Sequence, residues 1–530
     1  MVIIPAAAPL DRSELRPFDR LRAILSAVEG WRGKPSARRA FVVAVALAAG
    51  CGGALAALHY HRLGLTLSHY DARGHLVVAR RIVDNITPGW QQIGAVWLPL
   101  AHLLNAAPVQ IDFFYRSGAS AVVISILSFA IASGAIAWVV FAITDSRLAA
   151  VAAAAVFAFN PNVLYLQSTP MTEPLMLALT LLGVALLIEW AALLPSRQEA
   201  PSRQAGPAGW VLALACLTRY EAWPVTALAL TCAAWARWRL GEPVDHVARS
   251  VGRVALYPAL ALAGFAVFSR IVVGQWFVGG DFFVPENKAL GDPVLAMKEI
   301  AWGTRMLSGP LLVAIGLAGF GVLVALGAIR ARASAIVAAS LVATAAVPWA
   351  AFVKGHPFRI RYMVLLIAME AIGAGVLAGV WRRARVVCAI AMLALVAYEL
   401  RPLDASAPMV VEAQWDRPNV PVRAQVTACL GRPEQGVKIM ASMGSLGHYM
   451  QETSHAGFAI RDFLHEGNGD LWLTALDGPY PFAKWILIEE KAQGGDLLAR
   501  IVRERPHFLD GYRRVCEGAG LALYRRVTPY

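Results

Sequence analysis

The stretch FVVAVALAAGCGGALAALHY, Phe41 to Tyr60, runs for twenty residues without an Asp, Glu, Lys or Arg. As a helix it is long enough to cross the hydrocarbon core of a bilayer. Similar runs recur, with apolar cores near 41–60, 117–143, 148–166, 174–194, 208–218, 222–236, 252–273, 309–329, 334–352, 362–380 and 386–400. Backbone in hydrocarbon must satisfy its own hydrogen bonds, and no barrel-like alternation is present. The pattern therefore predicts an all-α polytopic membrane protein with about 11 transmembrane helices. The fifth and sixth cores are short and read as a kinked hairpin. Composition agrees: the 530 residues are 58% apolar and 16% charged, with a mean hydropathy of +0.55.

Short cytoplasmic loops collect Lys and Arg, which gives the orientation. The first 40 residues carry Arg12, Arg16, Arg20, Arg22, Arg32, Lys34, Arg38 and Arg39. Later inner loops carry Arg147, Arg197 with Arg203, Arg237 with Arg239, Arg330 with Arg332, and Arg382, Arg383 and Arg385. The N-terminus is predicted to be cytoplasmic and the C-terminus to lie across the membrane. The net charge of +13 is spread over many loops, not drawn into one stripe, so it argues for topology and anionic lipid and against nucleic acid. Segment 1–40 is a basic amphipathic stretch, with Leu15, Phe18, Leu21, Ile24, Leu25 and Val28 at helical spacing, and reads as a helix on the inner membrane surface. No cleavable leader is expected, because the first apolar run begins near 41 and is long enough to span.

The transmembrane region is expected over 41–400, with outer loops at 61–116 and 274–308. From 401 to 530, charges, prolines and short alternating segments predict a small extracytoplasmic α/β domain. Residues 437–441 and 485–488 read as strands, 444–451 as a turn entering a helix, and 497–504 as a helix. Cys429 and Cys516 both fall there, where an oxidising compartment would let them pair as a disulfide.

Charges not needed for topology gather in the outer loops. The first begins at Tyr70-Asp71, and its following run, Val77, Val78, Ile82 and Val83 against Arg80, Arg81 and Asp84, suits a helix on the outer membrane surface. The second, Asn160-Pro161 through Thr169-Pro170-Met171-Thr172-Glu173-Pro174, ends in an acid at a helix start, a position that also fits simple dipole compensation. Thr218-Arg219-Tyr220-Glu221-Ala222-Trp223 forms the hairpin tip. Lys354-Gly355-His356-Pro357-Phe358-Arg359-Ile360-Arg361-Tyr362 gathers three cations and a histidine where positive charge is least expected, which calls for an anionic partner.

Together these segments resemble the GT-C glycosyltransferases, membrane enzymes that use polyprenyl-phosphate sugars, and within them the branch of protein O-mannosyltransferases and lipid A aminoarabinose transferases. The resemblance covers about 40–400. It implies an inverting transfer on the outer face, from a lipid-linked sugar donor to a glycan, lipid or protein acceptor. Asp71 would be the general base and Glu173 its assistant, while Arg219, Lys354, Arg359 and Arg361 would bind the donor phosphate. Tyr70, Glu221 and His356 would stand nearby. Some members hold a divalent cation, so Mg²⁺ or Mn²⁺ on Asp71 and Glu173 is a candidate cofactor. The expected location is a bacterial inner membrane.

His69, His75 and His102 read as hydrogen-bonded structural residues. Glu370, in the middle of the tenth core, supports a rival reading as a transporter or lipid flippase. A third reading is an assembly protein displaying the outer domain, with Gly444-Ser445-Leu446-Gly447 and an exposed Trp472 as its surface. The identity of the sugar depends on pocket contacts that no motif here specifies.

Overall fold

The computed structural model describes residues 35–192, 202–274, 276 and 287–527. The expected surface helix over 15–28, most of the basic N-terminal run, Arg197 and much of the first half of loop 274–308 lie outside these residues.

The apolar runs fold as helices: α1 (Pro35–Arg62), α2 (Tyr70–Arg80), α3 (Ala119–Thr144), α4 (Arg147–Ala158), α5 (Glu173–Ala192), α6 (Ser202–Cys216), α7 (Ala222–Arg239), α8 (Val244–Phe268), α9 (Pro310–Ala328), α10 (Val364–Val380) and α11 (Arg385–Glu399). A 3-10 stretch, Arg330–Ala345, continues into a helix at Ala346–Val353 between α9 and α10. Among the described residues, seven helical segments are long and apolar enough to cross a membrane by length and composition. The third, fifth, sixth and eleventh expected cores are not among them, and the third is interrupted at its middle. Pro161 removes a backbone donor and Asn160 turns the chain by accepting from the amides of Asn162 (2.9 Å) and Val163 (3.3 Å), which ends α4 after 12 residues.

Without a hydrophobic drive between helices in lipid, close packing must come from small residues. Gly316 and Gly319 of α9 lie directly on Glu370 and Gly373 of α10, leaving no room for a Cβ at either contact. Helix α10 is the most enclosed span, with 89% of its apolar window buried.

After α11 come α12 (Pro408–Glu412) and α13 (Asn419–Leu430), then a five-stranded sheet of order β2-β1-β3-β5-β4. Its strands are β1 (Ile439–Ala441), β2 (Phe463–Leu464), β3 (Trp485–Glu489), β4 (Tyr512–Gly518) and β5 (Leu521–Arg526). β1 runs parallel to β2 and β3, and β5 antiparallel to β3 and β4. Helix α14 (Met443–Thr453) connects β1 to β2 on one face, and α15 (Leu497–Glu504) lies between β3 and β4. Cys429 of α13 is joined to Cys516 of β4, with the Cα atoms 6.5 Å apart. Trp472, expected on the surface, is only 3% exposed and packs with Ile486, Leu498 and Phe508.

Helix α2 does not lie open on a membrane surface. Leu76, Val77 and Ala79 share a core with Leu446, Tyr449 and Met450 of α14 and with Trp485 and Leu487 of the sheet. Its polar face is satisfied by protein. Asp84 accepts from Arg80 (3.0 Å) and from Arg461 (2.8 Å), and Asn85 binds His465 and Asn468.

Candidate active site

One end of the helical bundle brings together residues from five separate parts of the chain. Asp71 sits in the first turn of α2, where the helix dipole favours a carboxylate. His69 caps that turn, its Nδ1 accepting from the Asp71 amide at 3.1 Å. Glu173 opens α5 and is completely buried. Arg219 and Glu221 occupy the tight turn between α6 and α7, and Arg361 lies in the 3-10 turn Ile360–Met363 that leads into α10.

Arg361 is the hub. Its Nη2 bonds Asp71, its Nε lies 3.3 Å from Glu173 Oε1, and its Nη1 lies 3.0 Å from His69 Nε2 and 3.8 Å from Glu412 Oε1. Arg219 completes the chain of charges, with Nη1 at 3.0 Å from Glu173 and Nη2 at 2.8 Å from Glu221. Four carboxylates thus face two guanidiniums in a nearly dry place. Tyr362 lies beside both arginines, with their guanidinium carbons 5.7 and 5.6 Å from its ring centre.

The electrostatics follow from this arrangement. Burial alone would lift the Asp71 pKa, but Arg361, and after it the neighbouring His69, hold it down at about 2. Burial likewise opposes ionisation of Glu412, and the nearby His69 and Arg361 outweigh it, leaving its pKa below the usual range. Burial disfavours the Arg219 cation, yet Glu173 and Glu221 push its pKa above the ordinary arginine value. Tyr70, its ring stacked on His69 at 4.7 Å, has its phenol pKa raised by burial and then by the Asp71 charge.

The expected phosphate-binding residues separate into three groups. Arg219 and Arg361 are saturated by carboxylates. Lys354 is exposed at the end of its helix and takes no part in the network. Arg359 is half-buried and makes no ion pair among the described residues, although its positive charge reaches both Asp71 and Glu412. His356 binds Tyr362 (3.4 Å) and stands outside the ring of acids. His75 and His102 face each other at 3.1 Å beside Trp97, a buried and hydrogen-bonded pair. Glu370 is completely buried against Gly316, a packed position apart from the cluster.

Glu412 escaped the sequence reading. It lies in a short helix beyond the last apolar run, where no spacing distinguishes it. The only available signal was an acid within a locally apolar segment, Pro408-Met409-Val410-Val411-Glu412.

Asp71 and Glu173 do not fit a shared divalent ion, because the Arg361 guanidinium already lies between them. Among the described residues, one other group has converging ligand atoms: Asp416, His448 and Glu452, within 4.8 Å of one another. There Arg423 binds both acids (2.6–2.8 Å) and Arg73 lies against both, so the charge is already met by guanidiniums.

With seven helical segments long and apolar enough to cross a membrane among its described residues, the chain has the fold of the solved ArnT structures. The solved structures it resembles include ArnT from Cupriavidus metallidurans bound to undecaprenyl phosphate, at 14% identity over 93% of this chain and 99% of that one, with a TM-score of 0.52. The apo form of the same ArnT matches with a TM-score of 0.54 and 12% identity, over 90% of this chain and 98% of that one. At such identities the likeness is one of fold. No family model and no curated protein matches the sequence.

Proposed function

We propose that the protein transfers a sugar from a polyprenyl-phosphate carrier to an acceptor at the membrane surface, with inversion at the anomeric carbon. The observation that carries this reading is the buried cluster of Asp71, Glu173, Arg219 and Arg361, with Arg359 uncommitted beside it. A lipid phosphodiester needs a cation to receive its charge, and of the three guanidiniums at this site Arg359 is the one without a carboxylate partner among the described residues. The bound phosphate also competes for Arg361. As Arg361 turns towards it, Asp71 loses the partner that keeps its pKa near 2 and gains basicity.

Asp71 then takes the proton of the acceptor nucleophile as that atom bonds to the anomeric carbon. The bond from that carbon to the phosphate oxygen breaks, and its electron pair leaves with the lipid phosphate, whose negative charge Arg359 and Arg361 stabilise. Glu173 does not touch the acceptor in this scheme. It holds Arg219 and Arg361 in register. The positive-inside pattern favours a cytoplasmic N-terminus and a site on the opposite, periplasmic face of a bacterial inner membrane. Glycan, lipid and protein acceptors all suit the scheme.

Purified protein in lipid nanodiscs, incubated with a panel of polyprenyl-phosphate sugars, tests the reading. Release of free polyprenyl phosphate by wild type, lost in Asp71→Asn, is expected. No release from any donor, together with no binding of undecaprenyl phosphate, would sink it.

A further inference from the structure

The segment that follows α11 enters the site. Met409, Val410 and Ala413 are at most 1% exposed, and Glu412 only 6%. The segment is pinned on both sides. The Met409 amide donates to Asn162 Oδ1 at 3.0 Å, and the Ser68 hydroxyl donates to the Ala413 carbonyl at 2.6 Å. A carboxylate fixed in this way, nearly dry, with Oε1 lacking any hydrogen bond of ordinary length, calls for a role.

The hydrogen positions supply one. His69 Nδ1 accepts from the Asp71 amide, so a neutral ring carries its proton on Nε2. That places an N–H donor 3.0 Å from Arg361 Nη1, which is itself a donor. Two donors at this separation repel. Glu412 Oε1 lies 3.6 Å from His69 Nε2 and 3.8 Å from Arg361 Nη1, so one negative charge stands beside both nitrogens. With Nη1 on the His69 and Glu412 side, Arg361 meets Asp71 through Nη2 alone and Glu173 through Nε.

We propose that Glu412 is a positioning residue of the transfer site: by engaging His69 and one arm of Arg361, it limits Asp71 to a single guanidinium arm and so keeps that carboxylate releasable. The proposal rests on the transfer reading given above. Without the Glu412 charge, Arg361 swings Nη1 away from His69 and chelates Asp71 with both arms, the fork geometry guanidinium prefers with a carboxylate. Asp71 would then be harder to free as a base, while Arg359 would still receive the donor phosphate.

The variants Glu412→Gln, which keeps shape and removes charge, and Glu412→Asp, which keeps charge, provide the test. Undecaprenyl phosphate binding, kcat, donor KM and thermal unfolding are measured for each and for wild type. Glu412→Gln is expected to lower kcat by about tenfold or more with donor KM and lipid-phosphate affinity within about twofold of wild type, the pattern of an interaction acting only in the transition state. Glu412→Asp is expected to recover part of kcat. Wild-type kcat in Glu412→Gln overturns the proposal. So does a kcat loss accompanied by a parallel rise in KM, a lower melting temperature and no recovery in Glu412→Asp, which marks a structural role. If wild type neither binds the lipid phosphate nor turns over any donor, it is the transfer reading itself that has failed.

Discussion

The carboxylate of Asp71 meets the guanidinium of Arg361 across 290 positions of sequence. Neither group has water enough to be stable alone in this place. A buried pair of this kind is a weak source of net stability, because desolvation of both ions offsets their attraction. In the proposed transfer its value lies in storing a carboxylate in ionised form until a competing anion arrives.

Replacing Asp71 with Asn removes the only proton acceptor the scheme offers. Transfer should fall by about a thousandfold or more, in line with loss of a catalytic base. The folded yield should persist, because Arg361 keeps Glu173 as a partner. Donor turnover and size-exclusion profiles of the variant, measured together, decide it, and turnover within tenfold of wild type would exclude Asp71 as the base.

Arg359 and Lys354 should behave differently, although both belong to the same basic turn. Arg359→Ala is expected to raise donor KM by about tenfold, from loss of a charge-assisted bond. Lys354→Ala should leave KM unchanged. Equal effects from the two substitutions would mean that the exposed lysine reaches the phosphate after all.

The Asp71 pKa predicts a pH signature. Its folded value of about 2 lies below the ordinary value of 3.8. A group depressed on folding contributes stability that is fully present above its unfolded pKa and is lost as pH falls through the folded one. The difference in melting temperature between wild type and Asp71→Asn should therefore be constant above about pH 5 and shrink between about pH 4 and pH 2. A difference that stays constant to pH 2 would contradict the assignment.

Arg423 should matter for stability far from the chemistry. It is 3% exposed and bonds Asp416 and Glu452 at 2.6 to 2.8 Å. Arg423→Ala leaves two partly buried acids to share Arg73, a loss of up to about 3 kcal/mol, the low end of the range for broken buried pairs. Denaturant unfolding of the C-terminal domain, followed through Trp472 and Trp485 fluorescence, measures it.

The Cys429–Cys516 link, 87 positions apart, closes a long loop. Its removal should cost about 4 kcal/mol on the chain-entropy scale. Non-reducing peptide mapping should recover the two cysteines in one cross-linked fragment. Recovery of both as free thiols would refute the link.

Much of this was legible in the sequence, for identifiable reasons. Apolar length alone marks the spans, and acids or arginines in loops where topology does not require them marked Asp71, Glu173, Arg219 and Arg361. What the sequence could not convey is which charges find partners. Lys354 and Arg359 are five positions apart and alike in character, yet only the fold decides that Arg359 faces the acids. The amphipathic pattern of α2 was read as a membrane-surface helix because its polar face suits water equally well. In the structure that face meets Arg461, Asp416 and Glu452 instead. Glu412 carries no motif, and its importance arises entirely from where α12 is pinned.

The burial of α2 beneath the C-terminal domain also sets an order in time. Ribosomes complete α2 when only 80 of the 530 residues exist. Ser68, Arg73 and Asp84 must then wait for Ala413, Asp416, Glu452 and Arg461 to be made and delivered to the same side. Through most of its synthesis the nascent chain therefore holds a half-built pocket of unmatched charges. A copy that stalls before residue 412 therefore lacks the groups that meet Ser68 and Arg73.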